Sequence, residues 1–209
     1  MRTLEKIGRC GVVPVVVLDR LEDAVPTAHA LLAGGIDVME ITLRTGAGLG
    51  SIREVAAKCP EMCVGAGTVL TREQGEQVLA AGAKFVVSPG FDLGLVRWCA
   101  DNDVAITPGC VTPTEITAAI TMGVSVLKFF PANIYGGLSA MKALSGPFGE
   151  IKFIPTGGVN GGNLAEYISA PFIHAVGGSW LCDRKDIASG NFEKITELSA
   201  QAAKIAGER

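Results

Sequence analysis

Two short apolar runs in this chain carry ionisable residues that an apolar setting tolerates poorly. In Val38-Met39-Glu40-Ile41-Thr42-Leu43-Arg44 the polar residues recur at every second position. Read as a strand, this run puts Glu40, Thr42 and Arg44 on one face and Met39, Ile41 and Leu43 on the other. The run Val126-Leu127-Lys128-Phe129-Phe130-Pro131 holds one lysine, with Val126 and Phe130 on its face. Loss of hydration disfavours a charged amine, and a neutral amine is the nucleophile that Schiff-base chemistry requires. A carboxylate in the same enclosed space can shuttle protons, so Lys128 and Glu40 are a minimum set for covalent carbonyl chemistry. An internal ion pair, or a lysine reaching out to water, fits the same residues without any chemistry.

Glycine-rich turns add an anion-binding element. Pro155-Thr156-Gly157-Gly158 and Gly177-Gly178-Ser179 each follow an apolar run. Glycine permits close backbone approach, and the exposed N–H groups of such turns attract phosphate, although plain tight turns favour glycine as well. Gly65-Ala66-Gly67-Thr68 lacks the third glycine of a dinucleotide-binding turn, so Thr68 is read as a hydroxyl able to orient a carboxylate. The prolines of Ser88-Pro89-Gly90 and Thr107-Pro108-Gly109 read as rigid walls. With only His29 and His174, no histidine-rich metal site is expected, and both histidines, like Trp98 and Trp180, read as structural.

These residues need elements to position them. Eight apolar runs recur: Val12–Leu18, Val38–Arg44, Cys63–Val69, Phe85–Pro89, Ala105–Pro108, Val126–Phe130, Phe153–Thr156 and His174–Gly177. Helix-period stretches lie between them, among them 21–33, 52–59, 73–81, 93–101, 115–122, 138–144, 164–170 and 192–206. Thr112-Pro113-Thr114-Glu115 has the order of a capping box, and Thr71-Arg72-Glu73-Gln74 repeats it without the proline. Strict strand–helix alternation demands a parallel sheet. Eight units in 209 residues predict a small single-domain (β/α)8 TIM barrel over 1–209, with a helix ahead of the first strand. An open doubly wound sheet is the alternative, but the turn after its first strand, Leu18-Asp19-Arg20-Leu21, has no glycine.

Composition limits the partners. Eighteen basic and 21 acidic residues give 18 − 21 = −3, which offers no reason to expect nucleic acid or an anionic membrane. The chain is 48% hydrophobic and 19% charged, enough to build a core. No stretch is long and apolar enough to span a bilayer, and the run after Arg2, Lys6 and Arg9 lacks a signal-peptide cleavage pattern. Six scattered cysteines without a Cys-x-x-Cys predict reduced thiols and a cytoplasmic protein.

Taken in order, Val13-Pro14-Val15-Val16, 40–45 (Glu-Ile-Thr-Leu-Arg-Thr), 65–70 (Gly-Ala-Gly-Thr-Val-Leu), Ser88-Pro89-Gly90, Lys128-Phe129-Phe130-Pro131-Ala132, Pro155-Thr156-Gly157-Gly158 and Gly177-Gly178-Ser179-Trp180 resemble the class I 2-dehydro-3-deoxy-phosphogluconate (KDPG) and 4-hydroxy-2-oxoglutarate (KHG) aldolases. The resemblance implies a homotrimer of (β/α)8 barrels that reversibly cleaves a phosphorylated 2-keto-3-deoxy sugar acid to pyruvate and glyceraldehyde 3-phosphate, with no metal or other cofactor. It implies Lys128 as Schiff-base nucleophile, Glu40 as acid/base, and Arg44 and Thr68 as ligands of the pyruvate carboxylate. It further implies phosphate binding by Gly157, Gly158, Gly178 and Ser179, and a pocket lined by Thr156, Pro89 and Phe130 that influences stereochemistry. KHG cleavage, cleavage of the phosphogalactonate epimer and a non-enzymatic metabolite-binding barrel are the alternatives. The segment after the lysine motif, Asn133-Ile134-Tyr135-Gly136-Gly137, departs from the family pattern near the phosphate side.

Overall fold

The computed structural model of the chain describes residues 2–207. Helix α1 (Thr3–Cys10) comes first, and strands and helices then alternate: β1 (Val12–Val16), α2 (Ala24–Ala33), β2 (Val38–Thr42), α3 (Gly48–Lys58), β3 (Cys63–Gly67), α4 (Arg72–Ala80), β4 (Phe85–Ser88), α5 (Leu93–Asp101), β5 (Ala105–Pro108), α6 (Pro113–Thr121), β6 (Val126–Phe129), α7 (Gly137–Ser145), β7 (Lys152–Pro155), α8 (Leu164–Ile168), β8 (Val176–Gly178), α9 (Arg184–Ala188) and α10 (Phe192–Gly207). A short 3-10 turn, Leu21–Asp23, leads into α2.

Every ladder is parallel. Six strands form one curled sheet in the order β5-β4-β3-β2-β1-β8, and β6 and β7 pair in a second. Isolated bridges join the two groups at both edges: Gly109 with Lys128, and Phe153 with Ile173 and Thr156 with Gly177. Alternate residues of each strand serve two cores. Met39, Ile41, Val86, Leu127 and Phe129 join the large core shared with the helices. Val13, Val38, Cys63, Phe85, Val126 and Ile154 form a smaller cluster on the opposite, inner face. Ile7 of α1 joins that inner cluster at 1% exposure, so α1 closes its lower end. His174 Nε2 lies 2.8 Å from the Leu4 carbonyl and Lys6 donates to the Glu61 carbonyl, which fastens α1 in place.

The strands are shorter than the apolar runs. Strands β1 to β4 and β6 stop one or two residues early, and β7 and β8 are displaced by one or two positions. The reason is local: in β1 to β4 and β6 the run continues into the first residues of the loop that turns away to the next helix. Thus Arg44, Thr68, Pro89, Phe130, Thr156 and Ser179 all lie just past a strand C-terminus. Helix α3 starts a turn earlier than predicted, at Gly48, where a Cβ would come within 2.5 Å of the Thr42 carbonyl oxygen. Helix α9 was not among the predicted stretches, since five residues are too short for a periodic signal. Trp98 lies against Gly75 and Trp180 against Gly178, as packing residues should, while His29 is exposed on α2.

The two capping sequences behave differently. Thr112 accepts from the Glu115 N–H, and the Glu115 carboxylate accepts from the Thr112 N–H at 2.9 Å, a complete box with Pro113 in the first turn. At α4, Thr71 accepts from the Gln74 N–H, but the Gln74 side chain accepts from the Leu70 N–H at 2.7 Å. The predicted second box is therefore corrected to a half-box, because glutamine reaches one residue further back. Burial pulls the Glu115 carboxyl upward, but hydrogen bonds from Val111 and Thr112 outweigh it, and the net shift is below the ordinary 4.5. A lowered carboxyl contributes stability above its unfolded-state value and loses it as pH falls through the folded-state value. Glu115→Ala is expected to cost about 1 kcal/mol in urea denaturation at pH 7. The difference from wild type should shrink as pH falls below 4.5.

Candidate active site

Glu40 sits in the middle of β2, opposite Val15 of β1 and Gly65 of β3. Lys128 sits in β6, opposite Ile154 of β7 and bridged to Gly109. The curl of the sheet brings these two side chains, 88 residues apart in sequence, to a hydrogen bond in which Lys128 Nζ donates to Glu40 Oε1 at 3.2 Å. Their side chains are only 5% and 4% exposed. The Phe130 ring centroid lies 5.4 Å from Nζ, within cation–π range. Beneath the pair is a cavity of about 10 Å³ lined by Ile7, Val13, Phe85, Val87, Thr107, Ile154 and Thr156 together with Glu40 and Lys128. This is nearly solid packing, with room for about one water molecule at most.

Glycines in β3 make the arrangement possible. A Cβ on Gly67 would come within 2.1 Å of Glu40 Oε1, and one on Gly65 within 2.3 Å of the Phe85 ring. The Gly-x-Gly spacing that imitates a nucleotide motif is thus the space into which the carboxylate and the ring fit. Sequence reasoning missed this use of the two glycines, although their period of two in a strand is the signal that could have found it.

Arg44 occupies the turn after β2, not the strand itself, and is exposed. The alternation therefore ends at Thr42, and Arg44 reaches the next loop, where its Nε donates to Thr68 Oγ1 at 3.2 Å. Thr68 has φ 59°, a left-handed conformation uncommon for a β-branched residue. Such strain persists where surrounding structure enforces it, often at functional sites. Here it directs a hydroxyl toward the guanidinium. Thr42 Oγ1 and Thr156 Oγ1 are buried and make no hydrogen bond within the protein. Thr156 packs on Gly177, where a Cβ would come within 2.2 Å of its hydroxyl. Phe130 is half-buried, and Pro89 is exposed, with its carbonyl pressed against Gly109.

The two glycine-rich turns are neighbours because Thr156 and Gly177 are bridged. Gly157 and Gly158 have φ 93° and 80°, which L side chains rarely adopt. Gly178 ends β8 against the Trp180 ring, and Ser179 follows it, exposed. Cys110, whose N–H donates to the Lys128 carbonyl, has a thiol pushed up to about 12 by burial and, secondarily, by Glu115. It is not a competing nucleophile near neutrality. A larger cavity, about 710 Å³, opens at the other end of the strands, lined by Arg2, Lys84, Asp103 and Ser125 among others. It is remote from Lys128 and Glu40 and lies away from the strand C-termini where such folds carry their sites. Among the described residues no group of three or more His, Cys, Asp or Glu side chains could hold a metal ion, and no helix is long and apolar enough to cross a membrane.

An enclosed amine–carboxylate pair inside a parallel α/β sheet, lined by Thr107 and Thr156 among apolar residues, is the arrangement expected of the class of lysine-dependent enzymes that act on carbonyl substrates. Residues 4–198 match the family model described as KDPG and KHG aldolase. The chain belongs to that family. It is 48% identical over 97% of both chains to a 2-dehydro-3-deoxy-phosphogluconate aldolase of Treponema pallidum. It is 41% identical to a KHG/KDPG aldolase of Escherichia coli, covering 91% of this chain and 90% of that one. A crystal structure of a KDPG aldolase from Legionella pneumophila, holding pyruvate captured at low pH as a covalent carbinolamine intermediate, superposes with a TM-score of 0.93 at 39% identity, over 97% of this chain and 98% of that one.

The packing at Gly67 has a measurable consequence. Gly67→Ala must displace the Glu40 carboxylate or shift β3, and is expected to destabilise the protein by about 1–3 kcal/mol in chemical denaturation. A crystal structure of the variant should show Glu40 Oε1 moved beyond hydrogen-bond distance of Lys128 Nζ.

Proposed function

We propose that the chain is a class I aldolase that cleaves 2-dehydro-3-deoxy-6-phosphogluconate to pyruvate and glyceraldehyde 3-phosphate. The observation that carries this reading is the buried 3.2 Å contact between Lys128 Nζ and Glu40 Oε1 in a chain of this family. A closed (β/α)8 barrel, formed by one domain over 1–209, is the architecture that supports it. The bridges Gly109–Lys128 and Thr156–Gly177, with hydrogen bonds from the Cys110 N–H to the Lys128 carbonyl and from the His174 N–H to the Phe153 carbonyl, support closure of the ring at both edges.

In the reaction, the neutral amine of Lys128 adds to the C2 ketone, and loss of the resulting hydroxyl as water leaves an iminium. Glu40 takes the proton of the C4 hydroxyl as the C3–C4 bond breaks, and the bond's electron pair passes into the iminium to give an enamine. Glyceraldehyde 3-phosphate departs. Protonation at C3 and hydrolysis release pyruvate and restore the amine. Arg44 and Thr68, already in contact, receive the pyruvate carboxylate, a task to which a planar guanidinium is suited. Gly157, Gly158, Gly178 and Ser179 bind the phosphate through N–H groups and a hydroxyl. Thr156, Pro89 and Phe130 line the space between, and the buried Thr156 hydroxyl supports a polar contact with substrate. The E. coli relative's name supports 4-hydroxy-2-oxoglutarate as a second substrate, giving pyruvate and glyoxylate.

Two further features belong to this reading. Leu70 and Leu93, 52% and 51% exposed beside adjacent strands, support burial against other copies in a homotrimer. Six free cysteines support a reducing, cytoplasmic setting.

Borohydride added with pyruvate is expected to trap a reduced pyruvyl adduct that peptide mapping assigns to Lys128. Lys128→Met should lose the adduct and reduce turnover by roughly 10⁴-fold or more while keeping the fold. A Lys128→Met protein that still cleaves the substrate would overturn the assignment of the nucleophile, and a wild-type protein that binds pyruvate without adduct or turnover would return the barrel to metabolite binding. Ser179→Ala should raise KM for the phosphorylated sugar acid about fivefold or more and leave that for 4-hydroxy-2-oxoglutarate nearly unchanged.

A further inference from the structure

The turn after β7 is held by three donors in succession. The Ala132 N–H donates to the Thr156 carbonyl at 2.8 Å, and the Asn133 N–H to the Gly157 carbonyl at 3.2 Å. The third donor is a side chain: Asn163 Nδ2 donates to the Gly158 carbonyl at 3.0 Å. The orientation of the Asn163 amide follows from its other end, where Oδ1 accepts from the Asn160 N–H at 2.8 Å. A donor on one side and an acceptor on the other permit only this orientation. Asn160 is itself held, its Oδ1 accepting from the Gly162 N–H at 2.9 Å.

A trans peptide directs its N–H opposite to its C=O. Fixing the Gly157 and Gly158 carbonyls therefore also fixes the direction in which the Gly158 and Val159 N–H groups point, away from Asn133 and Asn163. Glycine at φ 93° and 80° gives this stretch no side chains of its own to hold it, so its order depends on these outside bonds. Two of the three donors are main-chain groups, which only substitution by proline would remove. Asn163, at the start of α8, is the side-chain member of the set.

We propose that Asn163 is a positioning residue for phosphate recognition, one that acts through the Gly157–Gly158 turn without touching substrate. The proposal rests on the assignment of the phosphate to that turn. Preorganised N–H groups bind an anion without the cost of ordering the turn at the moment of binding, so loss of the clamp weakens affinity for the phosphate end of the substrate. Lys128 and Glu40 lie on other strands, and the chemical step is left intact.

Two variants test it. Asn163→Asp keeps the shape and the acceptor for Asn160 but loses the donor to Gly158, and Asn163→Ala loses both. Each is expected to raise KM for 2-dehydro-3-deoxy-6-phosphogluconate about tenfold, with kcat within about twofold. The inhibition constant of inorganic phosphate should rise in parallel. The KM for 4-hydroxy-2-oxoglutarate and the rate of borohydride trapping with pyruvate should not change. Equal losses on both substrates, or slowed trapping, would show a general structural role and overturn the proposal. An effect confined to Asn163→Asp would be charge repulsion and would overturn it as well. A wild-type protein that fails to cleave the phosphorylated substrate overturns the functional reading and this proposal together. Wild-type turnover with an unchanged Asn163→Ala overturns the proposal alone.

Discussion

The contact between Lys128 and Glu40 sets the terms for everything around it. Two groups that water would solvate well are about 95% enclosed, and each must find its compensation in the other. Removing a carboxylate or an ammonium from water costs several kcal/mol even after relaxation, and only close, well-aligned pairing offsets it. A hydrophobic pair of the same volume would hold the sheet at least as well. The stability of the sheet therefore does not require the pair, and its enclosure makes a demand on its neighbours. Its surroundings follow from that demand: glycines in β3 where the carboxylate needs room, Ile7 closing the inner core from below, and Phe130 offering its face to the amine.

The strands are a frame for loops. Glu40 and Lys128 lie within strands, while Arg44, Thr68, Thr156 and Ser179 lie just past strand C-termini, which the parallel ladders put on one side. Rigid ladders below and short loops above give the geometry that covalent catalysis needs, because misplacement by about an ångström carries a large rate penalty. Thr68, held in a strained conformation beside Arg44, shows the frame imposing a geometry that its own residue type disfavours.

The two loop regions of the site are built differently. Arg44 and Thr68 meet through side chains from two successive loops. The turn after β7 has its backbone direction enforced by neighbouring bonds, among them the side-chain donor of Asn163, which is itself held by the Asn160 N–H.

Alternation of apolar runs with helix-period stretches, read from the sequence alone, determines a parallel α/β fold, because each element's face must be buried with its own period. The polar face of Glu40 and Thr42, the lone Lys128 and the glycine-rich turns were legible for the same reason: their types are out of place in strands unless they do something. The capping box at Thr112 was local and so readable, whereas at Gln74 a longer side chain chose a different donor. Strand ends, the turn position of Arg44 and the helix at Arg184 were not readable, because the period of a strand does not mark where the chain leaves the ladder. Only the tertiary structure decided that Lys128 meets Glu40 at 3.2 Å across 88 residues, that Gly67 is empty to admit a carboxylate, and that Asn163 clamps the Gly158 carbonyl. These are contacts between elements distant in sequence, fixed by the curl and register of the sheet, and no local pattern of residues encodes them.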